Sequence, residues 1–338
     1  MIMRYFVTGG AGFIGSALIR KLILDKNNIV LNYDNLTYSS NLKNLKKISK
    51  NKRYFFVKGD INDKEKIYPL LTDYKPDIIM NLAAETHVDR SIINADKFIK
   101  TNICGTFNLL DIAYKYWLNL SLKKQKEFRF HHISTDEVYG SLPQNGKFSE
   151  GNPYCPSSPY SASKASSDHL VNAWFKTYDL PVLITNCSNN YGPYQYPEKL
   201  IPKIILNAFN KKNIPLYGNG DNIRDWLFVD DHVEALILVI KKGIPGETYN
   251  IGGNCEKNNF EVANLICDLI REYMEPKGEF FDYKSLIKFV KDRPGHDFRY
   301  AIDSSKIFNN LGWKPTESFD TGIKKTIDWY FNNIEFFK

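Results

Sequence analysis

Through its first half and a little beyond, the chain alternates short apolar runs with longer stretches of helical periodicity. Tyr5-Phe6-Val7-Thr8 is an apolar run that leads into glycines, and Phe13 to Leu24 follows with Ile14, Leu18 and Leu22 on one helical face. Further runs stand at Ile29–Asp34, Tyr54–Val57, Asp77–Leu82, Phe130–Ser134 and Pro181–Thr185. Helices are expected near Ala95–Trp117 and over Ser161–Tyr178. Strands that are apolar throughout are buried on both faces. Separated by helices, they predict an α/β fold: a doubly wound, parallel, Rossmann-type sheet with right-handed crossovers.

Beyond Tyr191 strands become short and irregular, with turn signals at Gly218-Asn219-Gly220 and Gly252-Gly253. The expected organisation is a Rossmann domain over 1–190 and a smaller C-terminal α+β substrate domain over 191–338. Trp226 to Ile240 reads as strand-helix material, so part of 225–250 is expected to return to the first domain.

Composition narrows the function classes. Aromatic residues make up 14% of the 338, too many for a disordered chain. No apolar run reaches the ~18 residues of a membrane span, so no membrane partner is expected. The formal charge of +7 is mild and suits an anionic substrate. The Lys-rich stretch Lys43–Lys52 comes without a nucleic-acid motif and reads as a solvated helix face, so no nucleic-acid partner is expected. The five cysteines are scattered, with no C-x-x-C pair and no Cys/His cluster. They read as reduced, mostly buried thiols in a cytoplasmic protein without a metal site. The N-terminal residues do not read as a signal peptide.

Thr8-Gly9-Gly10-Ala11-Gly12-Phe13-Ile14-Gly15 lies between a predicted strand and a predicted helix. Gly9 permits a tight turn, Gly12 lets backbone amides approach a pyrophosphate, and Gly15 lets helix and sheet pack closely. The helix N-terminus offers oriented N–H donors to the anion. Asp34 ends the next strand, where a carboxylate accepts a ribose diol and repels a 2′-phosphate, which favours NAD over NADP. Asp60-Ile61 ends the third strand, placed to bond and flank an adenine. Leu82-Ala83-Ala84 ends the fourth, with residues small enough for a cofactor to cross the sheet edge.

Tyr160 and Lys164 stand at i and i+4 on one helix face, where the ammonium is expected to lower the phenol pKa and make a usable base. After the glycine fingerprint, this pair resembles the short-chain dehydrogenase/reductase superfamily. Ser134-Thr135-Asp136-Glu137-Val138-Tyr139-Gly140 follows the fifth strand. By residue type alone this run is either acid/base machinery or a helix-capping turn.

Four motifs together resemble the dTDP-glucose 4,6-dehydratase family: Thr135-Asp136-Glu137, Tyr160-x-x-x-Lys164, Asn186–Pro193 and Asp292-Arg293-Pro294-Gly295-His296-Asp297. The resemblance runs from Arg4 to about Tyr330. Thr86 stands where the family usually has Ser, and the hydroxyl is kept. Related 4-epimerases and decarboxylases share the glycine motif and the Tyr/Lys pair but typically lack the Asp-Glu pair. They remain the alternative reading.

The resemblance implies a lyase that converts dTDP-glucose to dTDP-4-keto-6-deoxyglucose and water, with tightly bound NAD+ regenerated in each turnover. It implies catalytic roles for Thr135, Asp136, Glu137, Tyr160 and Lys164. Phe13, Ile14, Asn35, Leu36, Thr37, Thr86, Thr101 and Asn190 are implied to touch the cofactor. Arg224 and Arg293 are implied to bind the nucleotide diphosphate with Asn189. Lys199, Leu200, Pro215 and Tyr217 are implied to wall the base pocket, and Asn259 and Tyr300 to complete it. Thr86, His87, Thr135 and His296 are placed at the same substrate site. A homodimer is expected through Phe107, Leu110, Trp174 and Phe175.

Overall fold

A computed structural model describes residues 2–337. Twelve strands are named in chain order: β1 (Met3–Thr8), β2 (Asn28–Asp34), β3 (Tyr54–Lys58), β4 (Ile78–Asn81), β5 (Arg129–Thr135), β6 (Val182–Cys187), β7 (Asn189–Tyr191), β8 (Ile214–Tyr217), β9 (Ile223–Phe228), β10 (Thr248–Ile251), β11 (Glu256–Asn258) and β12 (Ile287–Val290). Seven of them form one sheet in the order β10-β6-β5-β4-β1-β2-β3, every pair parallel. The strand order reverses between β1 and β4, and that crevice at the carboxyl edge is where such sheets bind ligands.

Helices cover both faces. The Phe13–Leu22 helix ends each of its inward turns in a fully buried side chain, Leu18, Ile19 or Leu22. Each such burial contributes about 1.5–3 kcal/mol. On the opposite face, Leu109, Leu110 and Ala113 of the Thr106–Leu118 helix pack with Phe6, Ile79 and Phe130. The expected long helix near Ala95–Trp117 is interrupted: Asp96–Phe98 is α-helical, Ile99–Gly105 winds as a π-helix, and the α-helix resumes at Thr106. Inside this widened stretch Asn102 is held to the Glu85 backbone, Oδ1 accepting from its N–H at 2.9 Å and Nδ2 donating to its carbonyl at 3.0 Å. Gly105 packs so closely that a Cβ would stand 2.5 Å from the Ile61 side chain. Such wide turns recur at functional sites.

The stretch after Trp226 divides between the two sheets. Its strand, β9, pairs antiparallel with β11 and parallel with β7 in a three-stranded sheet. Its helix, Val229–Lys242, lies on the large sheet, with Val233, Leu236 and Val239 in the same core as Val7 and Val30. β10 then joins the large sheet beside β6. A second core gathers Tyr191, Trp226, Phe228, Ile266 and Tyr330 in the C-terminal part.

Two sequence expectations change. Leu110 is fully buried within its own chain, because it faces the sheet and not solvent. Of the five free thiols, Cys187 and Cys267 are buried and Cys255 is half-buried, but Cys104 and Cys155 are exposed, on the outer side of the π-helical stretch and in a loop.

Candidate active site

β1 delivers the chain into Gly9 at φ +68°, the left-handed region that glycine enters without strain. A Cβ there would stand 2.7 Å from the Ala83 amide nitrogen, so the turn presses against the end of β4. A Cβ at Gly15 would overlap the Gly9 carbonyl oxygen, whereas at Gly12 it would meet only that oxygen, at 3.3 Å. Gly12 caps the Phe13–Leu22 helix, whose start has no side-chain cap and no acid in its first turn. Its oriented N–H groups are a ready anion site.

Asp34 closes β2 and is buried. Its Oδ2 accepts from the Ala11 amide at 2.9 Å and its Oδ1 from the Leu36 amide at 2.7 Å. Each oxygen keeps a further lone pair for a diol, and the fixed charge disfavours a 2′-phosphate. Asn35 donates to Asp60 at 2.8 Å, and Asp60 also accepts from the Asn62 amide at 2.8 Å. A glycine cradle, an uncapped helix start and a buried acid on the ribose side together fit NAD.

These groups line one open cleft that runs along the carboxyl edge of the sheet, the kind of concave site that holds small ligands. Every sequence-assigned cofactor residue lines it except Leu36, which sits at φ +56° and closes a turn on Asp34.

The other end of the cleft holds the chemistry. β5 ends at Thr135, whose Oγ1 accepts from the Glu137 amide at 3.3 Å and starts the short turn Asp136–Tyr139. The capping reading and the chemical reading of this run are thus compatible. The Pro159–Tyr178 helix opens with a Ser158/Ser161 capping box and Pro159 in its first turn, so its start is fixed. Tyr160 and Lys164 project from it into the same cleft as Thr135, Asp136 and Glu137. Thr135 is close enough to lower the pKa of the Tyr160 phenol, and Lys164 Nζ donates to the Ile133 carbonyl at 2.9 Å.

The two acids differ in their surroundings. Asp136 is 1% exposed, and burial followed by the Glu137 charge pushes its pKa well up. Its Oδ2 has no hydrogen-bond partner among the described residues. Burial also raises Glu137, but Arg293, Lys199 and Arg224 oppose it with positive charge. Asp136 is therefore the group that keeps its proton. Tyr160 departs from expectation. Burial, then the Glu137 charge, drives its pKa well above the ordinary phenol value. Lys164 Nζ donates to the β5 backbone, and the rise prevails over its positive charge.

The assigned substrate residues fall into two groups. Thr86, Thr135, Asn189 and Lys199 line the cleft, and Lys199 Nζ donates to the Thr86 carbonyl at 2.8 Å. The rest lie outside that lining. Arg224 is buried, donates to the Asp297 carbonyl at 3.0 Å and stacks 4.3 Å over the Tyr300 ring. Arg293 approaches Asp89 at 3.4 Å, and Tyr217 donates to the same carboxylate at 2.8 Å. His296 contacts Asp292 at 2.6 Å, and His87 lies 3.7 Å from Glu198. Leu200 packs into the C-terminal core, Pro215 sits in β8, and Asn259 donates its amide to Asn222 at 3.1 Å.

The profile of the GDP-mannose 4,6 dehydratase family matches residues 6–326. A dTDP-glucose 4,6-dehydratase of Escherichia coli is 56% identical over 346 residues, spanning 99% of this chain and 96% of its own. The chain belongs to the dTDP-glucose 4,6-dehydratase family. Two solved members have the same fold over nearly their full length. The Bacillus anthracis dehydratase in complex with NAD is 45% identical with a TM-score of 0.86, covering 98% of each chain. The Streptomyces venezuelae dehydratase, also with NAD, is 42% identical with a TM-score of 0.90, covering 99% of this chain and 98% of its own.

Within this dehydratase fold, sequence reading missed several groups. Ser188, Gln195, Tyr196 and Glu198 line the cleft, and Asp89 joins Tyr217 to Arg293. Ser188 lies within the Asn186–Pro193 run, and the others belong to none of the four motifs. Their proximity arises only when the C-terminal part folds over the sheet edge.

Proposed function

We propose that this chain converts dTDP-glucose to dTDP-4-keto-6-deoxyglucose and water while holding NAD+ through the turnover. The observation that carries the reading is the adjacent Asp136, buried, and Glu137, partly exposed, in one cleft with Tyr160. A 4-epimerase or decarboxylase has no water to expel and no use for such a pair. NAD+, which the Gly9–Gly15 loop and Asp34 would hold, would supply the hydride acceptor for C4 of the sugar and the donor for C6.

Tyr160 takes the C4 hydroxyl proton, and Thr135, which lines the same cleft, bonds the same oxygen and orients it. The positive charge of Lys164 and of the bound cofactor opposes the burial that otherwise keeps the phenol protonated. Once C4 is a ketone, the C5 hydrogen is acidic. Glu137 removes it, Asp136 gives its proton to the departing C6 oxygen, and C5 is then reprotonated from Glu137. Arg293 and Arg224, the cations felt by Glu137, are assigned to the diphosphate.

The chain is read as a Rossmann domain over 1–190 and a substrate domain over 191–338, with part of 225–250 serving the first. Among the described residues no helix is long and apolar enough to cross a membrane. A cytoplasmic setting is inferred from the five free thiols. A homodimer is inferred from the half-exposed Phe107–Trp174 pair, rings 5.8 Å apart, on two neighbouring helices. The decisive experiment incubates the purified protein with dTDP-glucose and follows product mass. Loss of one water supports the reading; an isomer of unchanged mass would replace it with epimerisation.

A further inference from the structure

The helix that carries Tyr160 and Lys164 carries a third ionisable group on the same face. Asp168 follows Lys164 by four residues and Tyr160 by eight. It is 0% exposed. Its Oδ2 accepts from Ser134 Oγ at 2.8 Å, Tyr154 OH at 3.1 Å and Asn186 Nδ2 at 3.5 Å. Its Oδ1 lies 3.3 Å from His132 Nε2. Burying a carboxylate costs several kcal/mol unless a cation and further donors answer it. The cation at hand is Lys164, 4% exposed, whose Nζ lies 3.4 Å from the same His132 nitrogen.

The state of His132 follows from its neighbours. Asn81 Oδ1 accepts from Thr8 Oγ1 at 2.7 Å, so the Asn81 amide group donates to His132 Nδ1 at 3.1 Å. Ser167 donates its hydroxyl proton to the Lys164 carbonyl at 2.8 Å, leaving its oxygen to accept from His132 Nε2 at 3.2 Å. The proton therefore sits on Nε2, and burial keeps the ring neutral, with its pKa pushed down to about 4. A neutral ring beside an ammonium and a carboxylate is a polar spacer between opposite charges.

We propose that Asp168 is the buried counter-charge of Lys164, acting through His132 as a positioning residue that keeps the lysine charged beneath the active site. The arrangement answers the negative charge from behind and leaves the remaining ammonium hydrogens free toward the cleft. The groups that bear on Lys164 are Asp168 on its own helix, His132 on β5 and Cys187 at the end of β6, with Tyr160 one helical turn before it. Burial lowers the Lys164 pKa, and Asp168 first, then Cys187, raises it. The role deepens the Tyr160/Lys164 assignment proposed above and rests on it.

The test is single-turnover NADH formation by the NAD-loaded enzyme with dTDP-glucose, measured across pH. Asp168→Asn keeps the size and most of the hydrogen-bonding shape of the side chain but removes its charge. The alkaline limb of the profile, where Lys164 loses its proton, is expected to move down by about 1–3 pH units, the effect of one nearby opposite charge. At the acid end the rate stays within a few-fold of the parent. A uniform loss at every pH with the limb unmoved would mark Asp168 as merely structural and overturn the proposal. Failure of the underlying assignment looks different: Tyr160→Phe would then still form NADH. Should Asp168→Asn not fold, nitrogen-15 NMR of Lys164 in the unaltered holoenzyme decides. An ammonium persisting above about pH 8 supports the counter-charge, and its loss below that pH overturns it.

Discussion

The Arg90 guanidinium lies 3.7 Å over the ring of Tyr38. Tyr38 stands in the loop after β2, beside the cleft-lining Thr37 and Ser39, and Arg90 in the Val88–Ile93 helix. Glu198, from the segment after β7, accepts from Arg90 at 3.2 Å, and its charge bears on the nearby Tyr38 phenol. Three separate segments thus close over one cofactor-shaped groove.

That clasp should slow NAD release. A cation–π contact is worth about 0.5–1 kcal/mol at an exposed site and an exposed ion pair up to about 1. Arg90→Ala is expected to raise the NAD dissociation rate by roughly 3–30-fold, as both contacts are lost. Fluorescence-detected release of NADH from the two proteins checks this, and equal rates would dismiss the clasp.

Asp136→Asn should separate oxidation from elimination. The amide cannot donate a proton to the leaving oxygen, so water loss slows by about 10²–10⁴-fold, the usual size of a general-acid contribution. NADH should then accumulate in a single turnover, because C4 oxidation does not use Asp136. Dehydration at the parent rate would remove the residue from its role.

In Tyr160→Phe the proton acceptor for the C4 hydroxyl is gone, while the ring still packs edge-on to Phe98, 6.3 Å between centroids. No NADH should appear after mixing with the sugar nucleotide, although the loaded cofactor remains bound. Stopped-flow absorbance settles the point, and a normal burst would falsify the base assignment.

Acid should unfold this protein early. His131, His132 and His232 are essentially unexposed, and burial pushes their pKa values down to about 3, 4 and 3 from an ordinary 6.5. The unfolded chain then binds more protons than the folded one across that window. Stability is full above the ordinary value of 6.5 and drains as pH falls toward the folded values. Near pH 5 each histidine removes roughly 2 kcal/mol. Urea midpoints at neutral pH and near pH 5 should differ sharply, and a pH-independent midpoint would contradict the neutral burial of the three rings.

The parallel sheet was legible because its strands are apolar on both faces, and the glycine loop because its spacing is enforced by contacts within eight residues. Tyr160 and Lys164 were legible for a similar reason: one helix turn fixes their relation. The edge strand β10 was not, since a four-residue run of Thr248–Ile251 carries no signal apart from its pairing with β6. The π-helical stretch was also hidden, because it depends on Asn102 reaching Glu85 across the fold. Asp168 continues the Tyr160–Lys164 spacing, yet its meaning lies with His132 and Ser134, which arrive from another element. The direction of the Tyr160 shift needed burial, which spacing does not report.

One cleft runs unbroken from Gly12 to Lys199, with the glycine loop at one end and the reactive side chains gathered at the other. On the proposed reading the electrons taken at the start are handed back before anything leaves. Such a catalyst draws nothing from the surrounding pool of reduced and oxidised dinucleotides. Its flux would follow the supply of sugar nucleotide alone, insulated from swings in the metabolic redox balance of the cell that makes it.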